Sequence, residues 1–500
     1  MPRSPNTLNF VKAGVIVKEL VQHRSYIAIT DYNLGECKKV EKCFSYFENW
    51  VVHPVGIIYD QDTRELRIFG GADPRYIQYL ADGIPFRNDF SYDVYKDAPI
   101  RLRGIPRGKL QKEMIQFLVG TGDYAYTKQE PQISCNAETG EGKTFCAIAM
   151  ISFMRVKTII IVNRSNIRKN WEREVLAFTD LDPRRLMVFD TGDKIRDILD
   201  GKTDPSQYHV FIVVHRMLDN IAKERGWPAI RELFCKLGIG LKIYDEAHKE
   251  FFNTTFIDCY THVYKTIYLT ATPKLNSPKA NFIFQHIFKR VPKFNQRALG
   301  YTDAKKHIVM LAFIYNSRPD IYWTKRCYNR RLRYFSARDH SMYQIEADQI
   351  FFTVIDRCIR NMVVENEYRM LILVSRIVAC DEIVQFIKDN FKNIVVGAYH
   401  SKISKKDKEE VLKNCKIIVS TNASLGLGET IKDLQVVINA EAHRNFGDQA
   451  SGRLRRFQDG RTCFYCELID IGFKSIFNQW RSRVKHYADI FKEVIKIDTK

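Results

Sequence analysis

The chain has 500 residues, of which 45% are hydrophobic and 27% charged, and its formal net charge is +20. This composition is typical of a globular chain long enough for about three domains. No apolar run approaches the ~18 residues that span a bilayer, so the sequence excludes a membrane-spanning protein. The excess of lysine and arginine favours a polyanionic partner, and we expect nucleic acid rather than a membrane surface.

The cysteines and the first residues of the chain indicate which cellular compartment to expect. The 12 cysteines are scattered without an even framework, and no apolar signal region follows Met1. We therefore expect an intracellular, reducing compartment, which is the cytoplasm of an infected cell if the protein is viral. One Cys-x-x-Cys pair, Cys463 and Cys466, lies in a strand-like run where residues three apart point to opposite faces, so we do not expect it to bind zinc.

Residues 1–100 predict a small α+β domain. Short alternating runs at residues 51–59 and 65–69 flank the polar residues 60–63, which is a hairpin pattern. Basic and aromatic residues interleave over residues 76–95. Such a surface permits stacking on bases, but it is also what a small core looks like, so DNA contact and plain packing both stay open.

Residues 101–300 predict a doubly wound α/β domain. Residues 110–118 read as a helix, and a glycine-bearing loop at residues 134–145 opens a second helix. Continuous apolar runs, of the kind buried on both faces of a parallel sheet, alternate with helical stretches; they lie at residues 158–162, 210–214, 241–244 and 266–269.

Residues 301–500 predict a second α/β domain. Residues 295–343 are basic and irregular and are interpreted as a connector, after which the strand and helix pattern resumes. The strands are expected at residues 370–374, 394–396, 417–419, 436–438 and 463–469. The expected fold class is therefore α/β, with two tandem doubly wound parallel-sheet domains and a small α+β amino-terminal domain.

The loop at residues 134–145 is suited to holding phosphate. Gly140 and Gly142 can adopt backbone angles that turn amide groups toward phosphate oxygens at the positive end of the following helix. Lys143 would reach the β and γ phosphates, and the Thr144 hydroxyl would bind magnesium. The remaining loop residues expected to surround the nucleotide are Ala137, Glu138, Thr139 and Glu141.

Two further polar segments each follow an apolar strand. Asp245 is placed to hold the water shell of magnesium, and Glu246 to orient and deprotonate the attacking water. The hydroxyls of Thr270 and Thr272, on either side of Ala271, could relay the state of the γ phosphate, although the segment alone would be a mere turn.

Near the carboxyl terminus, Gln449 is followed by two arginines on one predicted helix face, Arg453 and Arg456. Arginine binds phosphate oxygens bidentately and keeps its charge, so both could act on a triphosphate. A solvated basic helix is the alternative.

The order phosphate loop, Asp-Glu-Ala-His, Thr-Ala-Thr and Gln-x-x-Gly-Arg-x-x-Arg resembles superfamily 2 helicases and translocases over about residues 105–480. The resemblance implies RecA-like domains, ATP and Mg²⁺ as cofactors, and adenine contact by Gln111. It also implies that Gly428 lies at the nucleotide and that His248 couples nucleotide to nucleic acid.

The same resemblance places nucleic-acid contacts at strand ends, where parallel sheets bind ligands generally. The residues concerned are Asn163, Arg164, His215, Arg216, Ser375, Arg376, His400 and Thr421. The chain is further similar to compact viral DNA helicases of the phage UvsW and poxvirus transcript-release types.

We therefore expect a monomeric ATP-dependent DNA helicase or translocase that unwinds or branch-migrates forked or junction DNA in viral replication, recombination or repair. RNA is the less expected substrate. Two alternatives remain open: an ATP-switched factor that releases transcripts from a polymerase, and the motor subunit of a restriction system.

Overall fold

The computed structural model describes residues 18–33, 38–48, 50–138, 140–271, 275, 277–296, 299, 307–329, 334–425, 431–441, 450–454, 457 and 459–499. The chain divides into two compact units, residues 1–137 with 143–295, and residues 138–142 with 296–500. None of the helices in the described ranges combines the length and apolar character needed to cross a membrane.

The amino-terminal region forms a five-stranded sheet and a separate hairpin. Its elements are β1 Leu20–Gln22, β2 Tyr26–Ile29, α1 Lys38–Cys43, β3 Ser45–Glu48, β4 Val51–Pro54, β5 Ile57–Asp60, β6 Glu65–Phe69, α2 Pro74–Leu80 and β7 Phe86–Asn88. The sheet order is β5-β6-β2-β1-β7, antiparallel except for the parallel pair β1 and β7, and β3 pairs with β4 alone.

The hairpin expected around residues 60–63 is present between β5 and β6. Its turn is stabilised by the Asp60 carboxylate, which accepts hydrogen bonds from the backbone N–H groups of Asp62 (3.1 Å) and Thr63 (3.4 Å). Arg64 closes the turn with a φ of 55°. The side chain of an aspartate thus replaces a backbone acceptor, as is common in such turns.

A seven-stranded parallel sheet follows in the same unit. Its elements are α3 Lys109–Val119, β8 Gln132–Asn136, α4 Lys143–Met154, β9 Thr158–Val162, α5 Ser165–Phe178, β10 Leu186–Val188, α6 Gly192–Leu199, β11 Val210–Val214, α7 His215–Arg225, α8 Pro228–Leu237, β12 Leu241–Asp245, α9 Phe251–Tyr260, β13 Lys265–Thr270, α10 Pro278–Ile287 and β14 Lys293–Asn295. The order is β10-β11-β9-β12-β13-β8-β14.

The amino-terminal sheet and the parallel sheet share one hydrophobic core. Phe69 of β6 packs edge-on against Phe251 at 5.5 Å between ring centroids and stacks on Phe288 at 5.5 Å. Arg67 donates to the carbonyl of Cys259 at 2.9 Å from a buried position. Removing residues 1–100 would therefore expose apolar surface of the first parallel-sheet domain.

A buried ion pair lies in this domain between β12 and α9. The Lys242 ammonium and the Asp258 carboxylate are both fully buried, 2.5 Å apart. The hydroxyls of Tyr244 and Tyr268 donate to the same carboxylate, and Thr261 accepts from the ammonium at 2.7 Å. Every charged atom of the pair is thus matched, which is the condition for burying charge.

The second unit contains another seven-stranded parallel sheet. Its elements are β15 Ile308–Tyr315, α11 Ile321–Cys327, β16 Tyr328–Asn329, β17 Tyr334–Phe335, α12 Ala337–Glu346, α13 Gln349–Ile359, β18 Arg369–Val374, α14 Ile377–Asn390, β19 Val396–Tyr399, α15 Lys405–Asn414, β20 Ile417–Thr421, α16 Asn422–Leu425, β21 Leu434–Asn439, β22 Cys463–Asp470, α17 Lys474–Ile490 and β23 Glu493–Asp498. The order is β19-β20-β18-β21-β22-β15-β23.

The prediction that residues 295–343 form an irregular connector was wrong. This stretch contains β15, which pairs in parallel with β22 on one side and β23 on the other. Seven of its eight residues are buried, because the run IVMLAFIY is apolar throughout. Because the neighbouring segments are charged, this strand was not recognised in the sequence, although it lies in the interior of the sheet.

The fold class expected from the sequence is confirmed: two parallel-sheet domains with flanking helices follow a small α+β region. Cys463 and Cys466 both lie on β22, in different hydrophobic clusters on the two faces of the second sheet. The strand thus separates their side chains as its alternation requires.

Candidate functional site

The loop between β8 and α4 has the backbone expected of a phosphate-binding turn. Gly140 and Gly142 have φ angles of 98° and 87°, which residues with a side chain rarely adopt. The Lys143 ammonium donates to the carbonyl of Ala137 at 2.7 Å, so it lies over its own loop. Thr144, in the first turn of α4, is half-buried. Amide groups, an ammonium and a hydroxyl are thus gathered at the positive end of a helix.

Asp245 is the last residue of β12 and is held by a tryptophan. The indole N–H of Trp171, on α5, donates to one carboxylate oxygen of Asp245 at 2.8 Å. Burial, followed by the charge of Glu246, raises the pKa of Asp245 to about 6, while the Trp171 hydrogen bond and the Lys143 ammonium act in the opposite direction. A buried carboxylate of this kind is stabilised when a cation joins it.

Glu246 follows with an uncommon backbone conformation. Its φ is 50°, in the left-handed region that costs a non-glycine residue of order 1–3 kcal/mol. Ala247 donates its N–H to the Leu269 carbonyl of the adjacent strand at 3.2 Å, which fixes the turn. The backbone therefore turns sharply at Glu246, where β12 has ended, and the carboxylates of Asp245 and Glu246 stand on residues of different backbone conformation.

His248 joins this turn to β13. Its Nδ1 lies 2.8 Å from the Thr270 hydroxyl and 3.5 Å from a carboxylate oxygen of Glu246. Burial lowers the pKa of His248 to about 4, so the imidazole is neutral at pH 7. The Nδ1 atom of a neutral ring can accept a hydrogen bond from the Thr270 hydroxyl, and this bond links a residue at the candidate site to the end of the next strand.

The strand order brings these segments to one edge of the sheet. β12 lies between β9 and β13, and β13 lies between β12 and β8. Asp245 is level with Leu269, and Thr270 is level with Asn136, which precedes the glycine-bearing loop. Residues far apart in sequence therefore converge where parallel sheets bind ligands.

Gln111 lies on α3 near the start of α4. Its backbone carbonyl accepts from the Cys146 thiol at 3.7 Å. Its side-chain oxygen accepts from the N–H of Arg107 at 2.7 Å, and the residue is 9% exposed. The side chain is thus oriented by its own segment, and its contact with adenine stays a prediction.

The residues present fit a nucleoside triphosphate with magnesium. The Asp245 oxygen that does not accept from Trp171, together with the Thr144 hydroxyl, supplies the hard oxygen ligands that Mg²⁺ prefers. Burial raises the pKa of Asp245, so a cation bound beside it would stabilise its ionised form.

The candidate nucleic-acid contacts of the first unit differ in exposure. Arg164 and Arg216 are exposed at the starts of α5 and α7. His215 is 1% exposed, stacks on Tyr244 at 5.6 Å, and has no hydrogen-bond partner on either ring nitrogen among the described residues. Burial lowers its pKa to about 3. The Oδ1 atom of Asn163 is also buried and unpaired within the described part of the chain.

The candidate contacts of the second unit lie at the ends of neighbouring strands. Ser375 follows β18 and is exposed, and its N–H donates to the buried Glu441 carboxylate at 2.9 Å. Arg376 is half-buried at the start of α14. Thr421 ends β20 and donates to the Ser424 hydroxyl at 2.9 Å. β18 and β20 are adjacent, so these residues share one edge of the sheet.

His400, after β19, is 3% exposed and contacts Asp381 at 2.9 Å through Nε2. With Cys380 these residues bring three metal-ligating atoms within 4.8 Å of one another. The Cys380 thiol, however, donates to the Val419 carbonyl, and burial raises its pKa to about 12. The thiol therefore stays protonated at pH 7 and is a poor ligand.

Arg453 is half-buried and lies in a turn, where its N–H donates to the Ala450 carbonyl at 3.1 Å. The expected helix face thus does not extend through this residue. The predicted site residues Thr139, Thr272, Gly428, Gln449 and Arg456 lie outside the described residues.

Trp171 is the residue that sequence reasoning missed. Ile167, Trp171 and Val175 recur every four residues on α5 and are all buried. This periodicity predicts that the tryptophan faces the core. Nothing in the sequence indicates that its N–H reaches a carboxylate 74 positions away.

Two protein families match parts of the chain. Residues 107–275 match the family described as Type III restriction enzyme, res subunit, and residues 353–458 match the helicase conserved C-terminal domain. No curated protein sequence matches the chain.

One solved structure of a helicase shares the fold, and a second has a lower TM-score. S. cerevisiae Dbp5 bound to RNA and ADP BeF3 is 15% identical with a TM-score of 0.51, covering 78% of this chain and 89% of that one. The Hef helicase domain of Pyrococcus furiosus is 11% identical with a TM-score of 0.46, covering 75% and 97%. At such identity the first of these shows the fold alone.

Proposed function

We propose that the chain is an ATP-hydrolysing helicase of superfamily 2, and that it is a DNA helicase or translocase that unwinds or branch-migrates forked or junction DNA. The proposal extends to a role in viral replication, recombination or repair, which the resemblance to compact viral helicases favours. ATP and Mg²⁺ are the cofactors of this family.

One observation carries the assignment of the hydrolytic site. Asp245 of β12 is level with Leu269 of β13, and Thr270 of β13 is level with Asn136 of β8, which precedes the loop that carries Lys143, so Lys143 and Asp245 come to one sheet edge although about 100 residues separate them. A phosphate-binding cation and a magnesium-binding carboxylate at one sheet edge are the two halves of a nucleotide site.

The protein's own residues have distinct parts in this proposal. Lys143 would bind phosphate oxygens as a point charge, and Thr144 and Asp245 would hold the metal ion, which would neutralise developing charge. Glu246 orients the attacking water and accepts its proton. We further propose the triphosphate contacts that the sequence predicts for Gln449, Arg453 and Arg456.

We propose that His248 and Thr270 couple this site to the nucleic acid. Their hydrogen bond at 2.8 Å joins the turn after Glu246 to the end of β13, which Ala271 follows. Thr270→Val would keep the shape of the side chain and remove the hydroxyl. We expect basal ATPase activity to remain while its stimulation by DNA falls, because the turn then moves independently of β13.

The substrate proposal rests on charge. With a net charge of +20, binding to a phosphate backbone releases counterions, so affinity should fall steeply with salt and vary little with base sequence. Of the predicted contacts, Arg164, Arg216 and Ser375 are exposed, and Arg376 is half-buried. His215 is more suitable as support behind Arg216, since its ring is stacked in the core.

The test is an ATPase panel on single strands, blunt duplex, forks, four-way junctions and RNA, with Lys143→Ala as the inactive reference. We expect forks and junctions to stimulate turnover most. If RNA stimulates more than any DNA, the DNA assignment fails. Deletion of residues 1–95 is unsuitable as a test, because that region completes the core around Phe69.

A second candidate is the motor subunit of a restriction system, which the description of the family matching residues 107–275 favours. Such a motor would translocate along duplex DNA, so blunt duplex should stimulate turnover as well as a fork does. A transcript-release factor would hydrolyse ATP and free RNA from a polymerase without separating strands.

A further inference from the structure

A groove of about 660 Å³ lies in the first unit between the amino-terminal sheet and the parallel sheet. It is lined at Pro131 and Gln132, where β8 begins, and at Val291, just before β14. The glycine-bearing loop follows the other end of β8. A strand of five residues is about 16 Å long. The groove is therefore at the edge of the sheet opposite the nucleotide site.

The floor of the groove is closely packed and preformed. A Cβ atom on Gly70 would lie 2.7 Å from the Ser25 carbonyl, and one on Gly71 would lie 2.5 Å from the Ile287 carbonyl, so neither position has room for a side chain. The Gln132 amide donates to the Ser25 carbonyl at 3.2 Å. These contacts join the two sheets beneath the groove.

Three arginines line the groove. The Arg24 guanidinium is fixed between the rings of Tyr92 (5.2 Å) and Tyr264 (4.9 Å). Arg75 and Arg290 are exposed, and neither forms an ion pair with any residue that the structure describes. Two exposed cations beside a fixed third make a site for successive phosphates.

Neither of the two acidic residues of the groove, Asp73 and Glu130, forms an ion pair with Arg75 or Arg290. The Asp73 carboxylate caps α2 by accepting from the N–H of Arg75 at 3.0 Å. The charge of Glu130 acts on the buried Lys265 ammonium, which donates to the Thr127 carbonyl at 2.7 Å. Neither carboxylate neutralises the arginine side chains directly.

Two aromatic rings complete the lining. Phe86, on the edge strand β7, is 39% exposed, and Phe90 is 43% exposed. Exposed phenylalanine rings offer faces on which nucleobases stack. Stacking requires an unpaired base, so the combination with arginines selects single-stranded nucleic acid over duplex.

We propose that this groove binds a single-stranded segment of nucleic acid separate from the one on which the motor acts, with phosphates on Arg75 and Arg290 and a base on Phe86 or Phe90. The inference rests on the proposed function, because a fork has two single-stranded tails. The motor would grip one tail while the groove holds the other.

The experiment is equilibrium binding without nucleotide, using forked DNA with one or with two single-stranded tails. For the wild type, the second tail should tighten binding at least tenfold, because it binds at high effective concentration. In the variant Arg75→Ala/Arg290→Ala this gain should disappear, and the salt slope for the two-tailed fork should decrease by about 1.4. Phe86→Ala should reduce the gain by about fivefold or more, and Phe86→Tyr should retain it.

Lys223→Ala is the matched control, since it removes an exposed cation from α7 in the same unit. It should keep the full gain from the second tail. The proposal fails if the second tail adds nothing to wild-type binding, or if the double variant keeps the gain. It also fails if inorganic phosphate displaces the tail as effectively as an oligonucleotide, which would indicate a small-anion site. The binding assay contains no ATP, so its result does not depend on unwinding. If the protein binds both tails but does not unwind DNA in a separate assay, the proposed function is contradicted and the proposed groove is not.

Discussion

Replacing the Asp245 carboxylate with an amide should stabilise the protein while it abolishes catalysis. Asp245→Asn keeps an oxygen that can accept from Trp171, so the change removes charge and little else. In the folded protein the pKa of Asp245 is raised from 3.8 to about 6. A raised pKa means that burying the ionised form costs free energy, at most about 3 kcal/mol here.

The sign of the pH dependence follows from the direction of this shift. The contribution of Asp245 to stability is fully present below the unfolded pKa and is lost as pH rises through about 6. At about pH 8 the variant should therefore unfold at a temperature up to roughly 6 °C higher than the wild type. At about pH 4.5 the difference should decrease to about a third, because the folded carboxyl is then mostly protonated.

The assay is thermal unfolding of nucleotide-free protein with a chelator, at both pH values, beside a matched control. Asp193→Asn removes an exposed carboxylate that pairs with Arg196, and it should give no gain at either pH. ATPase activity of Asp245→Asn should be lost. If this variant is less stable than the wild type at about pH 8, or equally shifted at both pH values, the inference of a buried, uncompensated charge is refuted.

Three other changes test the site and its support. Glu246→Gln should bind ATP with affinity close to wild type yet turn it over at least ~100-fold more slowly, because the base for the attacking water is lost; turnover like the wild type would assign the water to another residue. Trp171→Phe removes a hydrogen bond that lowers the pKa of Asp245, so the acid limb of the ATPase pH profile should move upward by up to about one pH unit, and an unmoved limb would contradict this link. Lys242→Met leaves the Asp258 charge buried without its partner and should cost about 3–5 kcal/mol in the free energy of unfolding by urea; a loss below about 1 kcal/mol would show that the pair is dispensable.

Strands buried on both faces could be predicted closely from the sequence. The runs at residues 158–162 and 210–214 coincide with β9 and β11, because a parallel strand covered by helices is apolar at every position. β19 was predicted at residues 394–396 and lies at Val396–Tyr399. Its two middle residues, Gly397 and Ala398, have little strand propensity and are ordered by pairing with β20.

The shared core of the first unit could not be predicted. Residues 1–100 carried a hairpin signal but no indication that Phe69 packs on Phe251 and Phe288. Such contacts join segments about 180 to 220 residues apart, and local periodicity holds no information on them. The groove with Arg75 and Arg290 exists only because the two sheets pack against each other, so it could not be predicted from the sequence either.

The candidate site also contains features that local sequence patterns predict and features that depend on long-range contacts. Lys143 and Asp245 were predicted, because a glycine-bearing loop and a carboxylate at a strand end are local patterns. The left-handed backbone of Glu246, the Trp171 hydrogen bond and the His248 link to Thr270 depend on the neighbouring strands and on α5.

Strand separation on a fluorescently labelled fork tests the central claim most directly. With ATP and Mg²⁺, the wild type should separate or migrate a forked DNA faster than a blunt duplex, and Lys143→Ala should do neither while it keeps its fold. The account is contradicted if the wild type hydrolyses ATP on the fork, at a rate stimulated by DNA, and yet separates or migrates no strands.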